Sequence, residues 1–174
     1  QPKAQSVREA IAAINPDPQV TPLVARADDA LLDHLVPTAD VVLDCTDNFA
    51  TRQRINRACV RHARPLVCGA AIRMDGQLSV FDTRQPDSPC YACLFPPDSA
   101  VEEALCATMG VFAPLVGIVG TLQAAEALKL LAGLGSRQVG RLTMIDARDL
   151  NFHTITLPRQ AQCPVCGRRD HTAM

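Results

Sequence analysis

The chain has 174 residues and a mass of 18.7 kDa, enough for one domain whose core takes roughly two thirds of the unfolded surface out of water. With 48 % hydrophobic and 20 % charged residues it lies outside the disordered class, because apolar burial can offset the entropy of ordering. The net charge of −1, with no block of like charges, excludes an electrostatic footprint for nucleic acid or for an anionic membrane.

Residues 5–14 carry Val7, Ile11 and Ile14 at helical spacing behind Ser6 as a possible cap, and Pro16 and Pro18 stop the pattern. Residues 20–25 read as a short β segment and residues 28–35 as a second helix. The run Val41-Val42-Leu43 reads as a buried strand ending in the polar stretch Asp44-Cys-Thr-Asp-Asn48, followed by a helix over residues 50–62. Two further apolar strands are predicted at residues 65–72 and 77–81, separated by a turn at Asp75-Gly76. Residues 87–109 are rich in Pro, Ser, Asp and Cys and read as an excursion from the sheet. Beyond it, residues 111–132 predict one long buried helix closed by Gly133, whose twelve nearly uncharged leading residues are too few to span a bilayer. Residues 142–146 and 152–157 alternate as two antiparallel strands. The expected fold is α/β with right-handed crossovers, ligands sitting at the carboxyl ends of the strands.

Eight cysteines are many for this length, and nine glycines are few for a phosphate-cradling loop. Cys90-Tyr-Ala-Cys93 and Cys163-Pro-Val-Cys166 are two Cys-x-x-Cys knuckles far apart in sequence. Four thiolates brought together suit tetrahedral Zn²⁺ and leave no open position, which makes the metal structural. The competing readings are four unrelated thiols or a redox dithiol, although Leu-Phe-Pro-Pro after the first pair does not start a helix that would lower a thiol pKa. Cys45, Cys59 and Cys68 read as small core residues. Asp44 and Asp47 with Asn48 at a strand end could bind hydrated Mg²⁺ or a ribose, and Asn48 could equally cap the next helix. Lys3 on its own reads as a surface lysine. The glycines at 133 and 135 end a helix, so no phosphate loop is visible. With no signal-peptide pattern before the first helix, a cytoplasmic, reducing compartment is expected.

Asp44-Cys-Thr-Asp-Asn-Phe-Ala-Thr-Arg-Gln, Gly69-Ala-Ala-Ile-Arg-Met-Asp-Gly-Gln77, Pro89-Cys-Tyr-Ala-Cys93, Ala113-Pro-Leu-Val-Gly-Ile-Val-Gly-Thr-Leu-Gln-Ala-Ala-Glu-Ala-Leu-Lys129 and Cys163-Pro-Val-Cys-Gly167 occur in that order. Together they closely resemble the ThiF/MoeB/HesA family, bacterial relatives of ubiquitin-activating enzymes. The resemblance implies a Rossmann-like, mostly parallel sheet with antiparallel strands toward the C-terminus and a zinc-tied excursion. It also implies ATP-dependent adenylation of the C-terminal Gly-Gly carboxylate of a ubiquitin-like sulfur carrier, in molybdopterin or thiamine biosynthesis. A separate sulfurtransferase or cysteine desulfurase would complete sulfur transfer, and the enzyme would be a homodimer. By position, Asp47 matches a Mg²⁺-binding aspartate, Asn48 an adjoining ATP-site residue and Lys3 a phosphate-pairing lysine. Cys90, Cys93, Cys163 and Cys166 match structural Zn²⁺ ligands. Arg52 and Arg73 face the nucleotide or the carrier tail, or serve as surface ion-pair partners. Cys106 falls on a loop where some members carry a carrier-linked cysteine, and is otherwise an incidental thiol. The family's glycine-rich loop, ribose-binding acidic residue and phosphate-facing arginines are expected before Gln1. Residues 1–167 would then be the C-terminal two thirds of one adenylation domain, inactive alone, with 168–174 as a tail. The alternatives are a catalytically silent, zinc-stabilised module that binds a ubiquitin-like partner, and a Cys-x-x-Cys oxidoreductase.

Overall fold

The computed structural model describes residues 1–98 and 109–167. One five-stranded sheet organises them, its strands adjacent in chain order. Strand β1 (Val42–Asp44) pairs in parallel with β2 (Leu66–Ile72), Asp44 lying opposite Cys68, and helix α3 (Phe49–Arg61) makes the crossover. Strands β3 (Asp75–Phe81), β4 (Arg141–Asp146) and β5 (Asn151–Thr156) then add antiparallel.

The α/β class and the mixed sheet are as expected, but within these residues the antiparallel pairings outnumber the parallel one and begin already at β2 and β3. Only Arg73 and Met74 link those two strands, and a parallel return needs a crossover of a dozen or more residues. The reversal falls at Arg73, whose φ of 51° is in the left-handed region, and not at Asp75-Gly76, which are paired strand residues. At Gly76 a Cβ would stand 3.0 Å from Leu115 Cδ1 and 3.1 Å from Val119 Cγ2, so those two side chains would have to give by a few tenths of an ångström.

Alternation along β2 builds a core on each face of the sheet. Leu66 and Cys68 pack with Phe81, Leu142, Ile55 and Cys59 on the side of α3. Val67, Leu78 and Val80 form a second cluster, flanked by Leu122 and Leu130 of helix α5 (Ala113–Leu131). Helix α5 buries Leu115, Val119, Gln123, Glu126 and Ala127, while Val116, Leu128 and Leu131 stay exposed, so it is buried on one side and not throughout. No described element covers the other side. By length and apolarity this helix would also suit a membrane span, which is weak evidence for a helix packed on a sheet. Gly133, at φ 69°, closes it, with Leu134 N–H bonding the Lys129 carbonyl at 3.0 Å.

Helix α1 (Lys3–Ile14) starts ahead of the predicted position, has no side-chain cap and buries none of its residues. Ser6 therefore sits inside the helix and not at its cap. Helix α2 (Asp29–Leu35) is capped by Asp28, which accepts the Leu31 N–H at 2.9 Å. Residues 20–25 form no strand, and Pro22 among them lacks the N–H that a ladder requires. The one-turn helix α4 (Tyr91–Leu94) interrupts the excursion that follows β3.

Candidate functional site

The short β1 strand delivers Asp44 to the centre of the molecule and the chain then loops through Cys45, Thr46 and Asp47 before Asn48 caps α3. Asn48 Oδ1 accepts the Thr51 N–H at 2.9 Å, satisfying one of the unpaired donors of the first turn. Asp44 is fully buried. Its Oδ1 accepts both the Thr46 N–H, at 2.9 Å, and the Thr46 hydroxyl, at 2.7 Å, while Oδ2 lies 3.6 Å from Arg52 Nη1. Arg52 Nη2 donates to the Gly69 carbonyl at 2.9 Å and also to the Thr46 carbonyl. Across the sheet, Gln123 Nε2 donates to the carbonyls of Asp44, at 3.0 Å, and Val67, at 3.3 Å.

The two carboxylates at the strand end thus have different fates. Asp44 is enclosed in a polar frame, whereas Asp47 is exposed and has no hydrogen bond or ion pair among the described residues. Burial pushes the Cys59 thiol up to about 12 and the Cys68 thiol well above its usual value, and the charge of Asp44 adds to both shifts. Burial followed by the same charge also raises Cys45, which is exposed where the sequence predicted a core residue. A thiol held protonated is a poor nucleophile. Arg52, expected to face the nucleotide or the carrier tail, is buried and turned toward Asp44 and β2. Arg73 is exposed in the β2–β3 turn, where its N–H bonds the Gly110 carbonyl at 2.9 Å and its carbonyl accepts the Phe112 N–H at 2.7 Å. Lys3 is exposed at the start of α1, and no hydrogen bond or ion pair ties it to the Asp47 loop among the described residues. Cys106 lies outside the described residues, as do residues 168–174.

The four knuckle cysteines do converge. Their sulfurs all lie within 4.8 Å of one another, with Cys90 to Cys163 at 3.7 Å and Cys93 to Cys166 at 3.4 Å. Tetrahedral Zn²⁺ with bonds of about 2.3 Å needs sulfurs about 3.8 Å apart, so the set fits the ion. Donors suited to thiolates surround it: Asn56 Nδ2 reaches Cys90 Sγ at 3.6 Å and the Gln160 N–H reaches Cys93 Sγ at 3.4 Å. Hydrogen bonds from Cys166 and Cys90 hold the Cys93 thiol far down, while hydrogen bonds to Cys166 and Cys93 push Cys90 far up. Gly167 closes the second knuckle, where a Cβ would meet the Ala161 and Cys163 carbonyls at 2.5 and 2.6 Å.

Sequence reasoning missed Gln123, Asn56 and the division of labour between Asp44 and Asp47. An amide at position 123 in the apolar helix run was the available signal for the first; the others depend on the convergence of β1, α3 and the excursion.

Fold and site together define a mixed α/β domain with an acidic loop at a strand end and a four-cysteine tie. The chain belongs to the ThiF family, whose sequence model matches residues 1–165. It is 48 % identical over 171 residues to the molybdopterin-synthase adenylyltransferase of Escherichia coli (strain K12), covering 97 % of this chain and 67 % of the relative. It is 45 % identical over 166 residues to the sulfur carrier protein ThiS adenylyltransferase of the same organism, covering 95 % of this chain and 65 % of that protein. The crystal structure of E. coli MccB with ATP shares the fold, with a TM-score of 0.76 at 20 % identity over 95 % of this chain and 51 % of that one. The chain therefore spans about two thirds of these relatives and half of that structure.

Proposed function

We propose that the protein containing this domain uses ATP and Mg²⁺ to adenylate the C-terminal Gly-Gly carboxylate of a ubiquitin-like sulfur carrier of the molybdopterin or thiamine type. A carboxylate oxygen of the carrier attacks the α-phosphorus of ATP, the bond from that phosphorus to the bridging oxygen breaks, and pyrophosphate departs with the electron pair. Carrier acyl-adenylate and pyrophosphate are the products.

The observation that carries this reading is Asp47, an exposed carboxylate without an ion pair among the described residues, at the carboxyl end of a parallel strand and the start of a helix. Ligands of α/β sheets bind at that end of the strands. One carboxylate together with phosphate oxygens is the donor set Mg²⁺ prefers, and the ion, when bound, neutralises charge on the phosphates during displacement. Asn48 uses its Oδ1 for the cap, so its Nδ2 hydrogens remain available to a nucleotide oxygen. The exposed Lys3 and Arg73 supply positive charge for the phosphates or the carrier tail. Cys90, Cys93, Cys163 and Cys166 hold one structural Zn²⁺. The displacement requires no thiol; a covalent adduct with the carrier that disappears in Cys106→Ser would give Cys106 a later role.

A separate sulfurtransferase or cysteine desulfurase converts the acyl-adenylate to a thiocarboxylate with release of AMP. We assign the protein to the cytoplasm and to a homodimer; the apolar side of α5 that no described element covers supports the dimer. Carrier-dependent ATP–pyrophosphate exchange in the full-length protein tests the activity, with Asp47→Ala expected to abolish it. No exchange by the unmodified protein with carrier and Mg²⁺ supplied, or undiminished exchange by the variant, overturns the reading.

A further inference from the structure

We infer that Arg52 is a positioning residue for the Asp47 carboxylate: its guanidinium, anchored on buried Asp44 and on β2, fixes the Thr46 carbonyl and thereby sets where Asp47 stands. The inference rests on the reading of Asp47 as the Mg²⁺-bearing group. Between β1 and α3 the four residues 45–48 have no ladder or helix of their own, so their path is set by side chains. Every polar group of Thr46 is held. Its N–H and hydroxyl go to Asp44 Oδ1 and its carbonyl goes to Arg52 Nη2. On the far side of Asp47, the Asn48 carbonyl accepts the Arg52 N–H at 3.2 Å and the Asn48 side chain caps α3. Asp47 is suspended between two residues that Arg52 holds, one through its side chain and one through its backbone.

Stability does not account for this arrangement. A buried ion pair is about neutral relative to a well-packed apolar pair, and here Asp44 Oδ2 has no hydrogen bond among the described residues and faces Arg52 only at ion-pair distance. What the pair provides is geometry. A planar fork can address a carboxylate with one nitrogen and two carbonyls with the other, as Arg52 does; a lysine ammonium is a single point of charge on a flexible stem.

The test uses the full-length protein with Arg52→Lys, Arg52→Gln and Asp47→Asn. Two quantities are read: the Mg²⁺ concentration that half-saturates carrier-dependent exchange, and Mn²⁺ binding in the presence of a non-cleavable ATP analogue, followed by electron paramagnetic resonance. Losing a hydrogen-bonded outer partner of a metal ligand weakens metal binding by roughly 10–100-fold, and Arg52, which acts on Asp47 through the backbone alone, falls at the lower end of that range. That shift is expected in both readouts for Arg52→Gln, and a smaller one for Arg52→Lys, which keeps the charge opposite Asp44 and carries the test if the Gln variant does not fold. A merely structural arginine would lower the melting temperature and leave metal binding in the folded variant unchanged. Metal binding shifted in Asp47→Asn but not in folded Arg52 variants rejects the Arg52 role alone. Unshifted metal binding in Asp47→Asn rejects the Asp47 reading and the inference with it.

Discussion

Gly69→Ala probes how closely α5 is keyed to the sheet. A Cβ at position 69 would overlap Oε1 and Cδ of Gln123 and lie 2.8 Å from its Nε2. The overlapped atoms end a side chain, so Gln123 must swing away while the strand stays in place. Gln123 is buried, and leaving deprives both Nε2 hydrogens of their acceptors, the carbonyls of Asp44 and Val67. Each stranded buried polar group costs roughly 1–3 kcal/mol, and removing a glycine from a strand returns roughly 0.5–1 kcal/mol. The net destabilisation is about 1–5 kcal/mol, a fall in melting temperature on the order of 10 °C for a domain of this size. Calorimetry of Gly69→Ala, Gln123→Ala and the double variant measures it. Once the amide is gone the overlap with it is relieved, so the two substitutions should couple by about 2 kcal/mol. Strict additivity, or a melting temperature unchanged in Gly69→Ala, would refute the clash as the cause.

Asn48→Ala should cost about 1 kcal/mol in urea unfolding while Asn48→Asp, which keeps an accepting oxygen, stays near the unmodified protein; equal losses in both would show that the cap is not what matters. Chelation should release one Zn²⁺ per chain, read with a colorimetric metal indicator, and should expose four thiols together, since the sulfurs form one cluster; release of metal from a Cys163→Ser protein at full stoichiometry would contradict a shared site. Burial pushes the Asp82 carboxyl up, but hydrogen bonds and charge from Arg84 outweigh it and hold the group below its usual value of 3.8. The stability it contributes is therefore complete above that value and is lost as the pH falls through the lower, folded one. The gap in stability between the unmodified protein and Asp82→Asn should close on acidification, and a gap that widens would reverse the assignment. With the Cys59 thiol pushed up to about 12 by burial, iodoacetamide at pH 8 should leave it unlabelled in the folded protein, as mass spectrometry of peptides can show.

Much of this was legible because it depends on local pattern. Spacing alone pointed to the cysteine knuckles, Asn48 reads as a cap because a polar residue follows an apolar strand, and the β4 and β5 segments read as the antiparallel pair they form, although every residue of β5 is exposed. What was hidden depends on partners distant in sequence. The apolar run from position 111 reads as buried all round, yet α5 has only one sheet face to pack on among the described residues. Asp44 and Asp47 are chemically identical in the sequence. One is enclosed because β1 points it at α3 and Gly69 leaves room for Gln123 behind it; the other projects outward a turn later. The β2–β3 reversal was misplaced because Asp-Gly is a strong turn signal, and here Arg73 takes up the positive φ instead.

The knuckles are separated by 73 residues, and this spacing has a consequence for how the protein is made. At roughly 5–20 residues per second of synthesis, Cys90 and Cys93 exist for about 4–15 s before Cys163 and Cys166 are added. Closing so long a loop also carries an entropic penalty of roughly 4 kcal/mol, which only the complete four-sulfur set can repay. A nascent chain therefore carries a bare dithiol, open to oxidation or to capture by a softer metal than Zn²⁺, until nearly all of the domain has emerged from the ribosome.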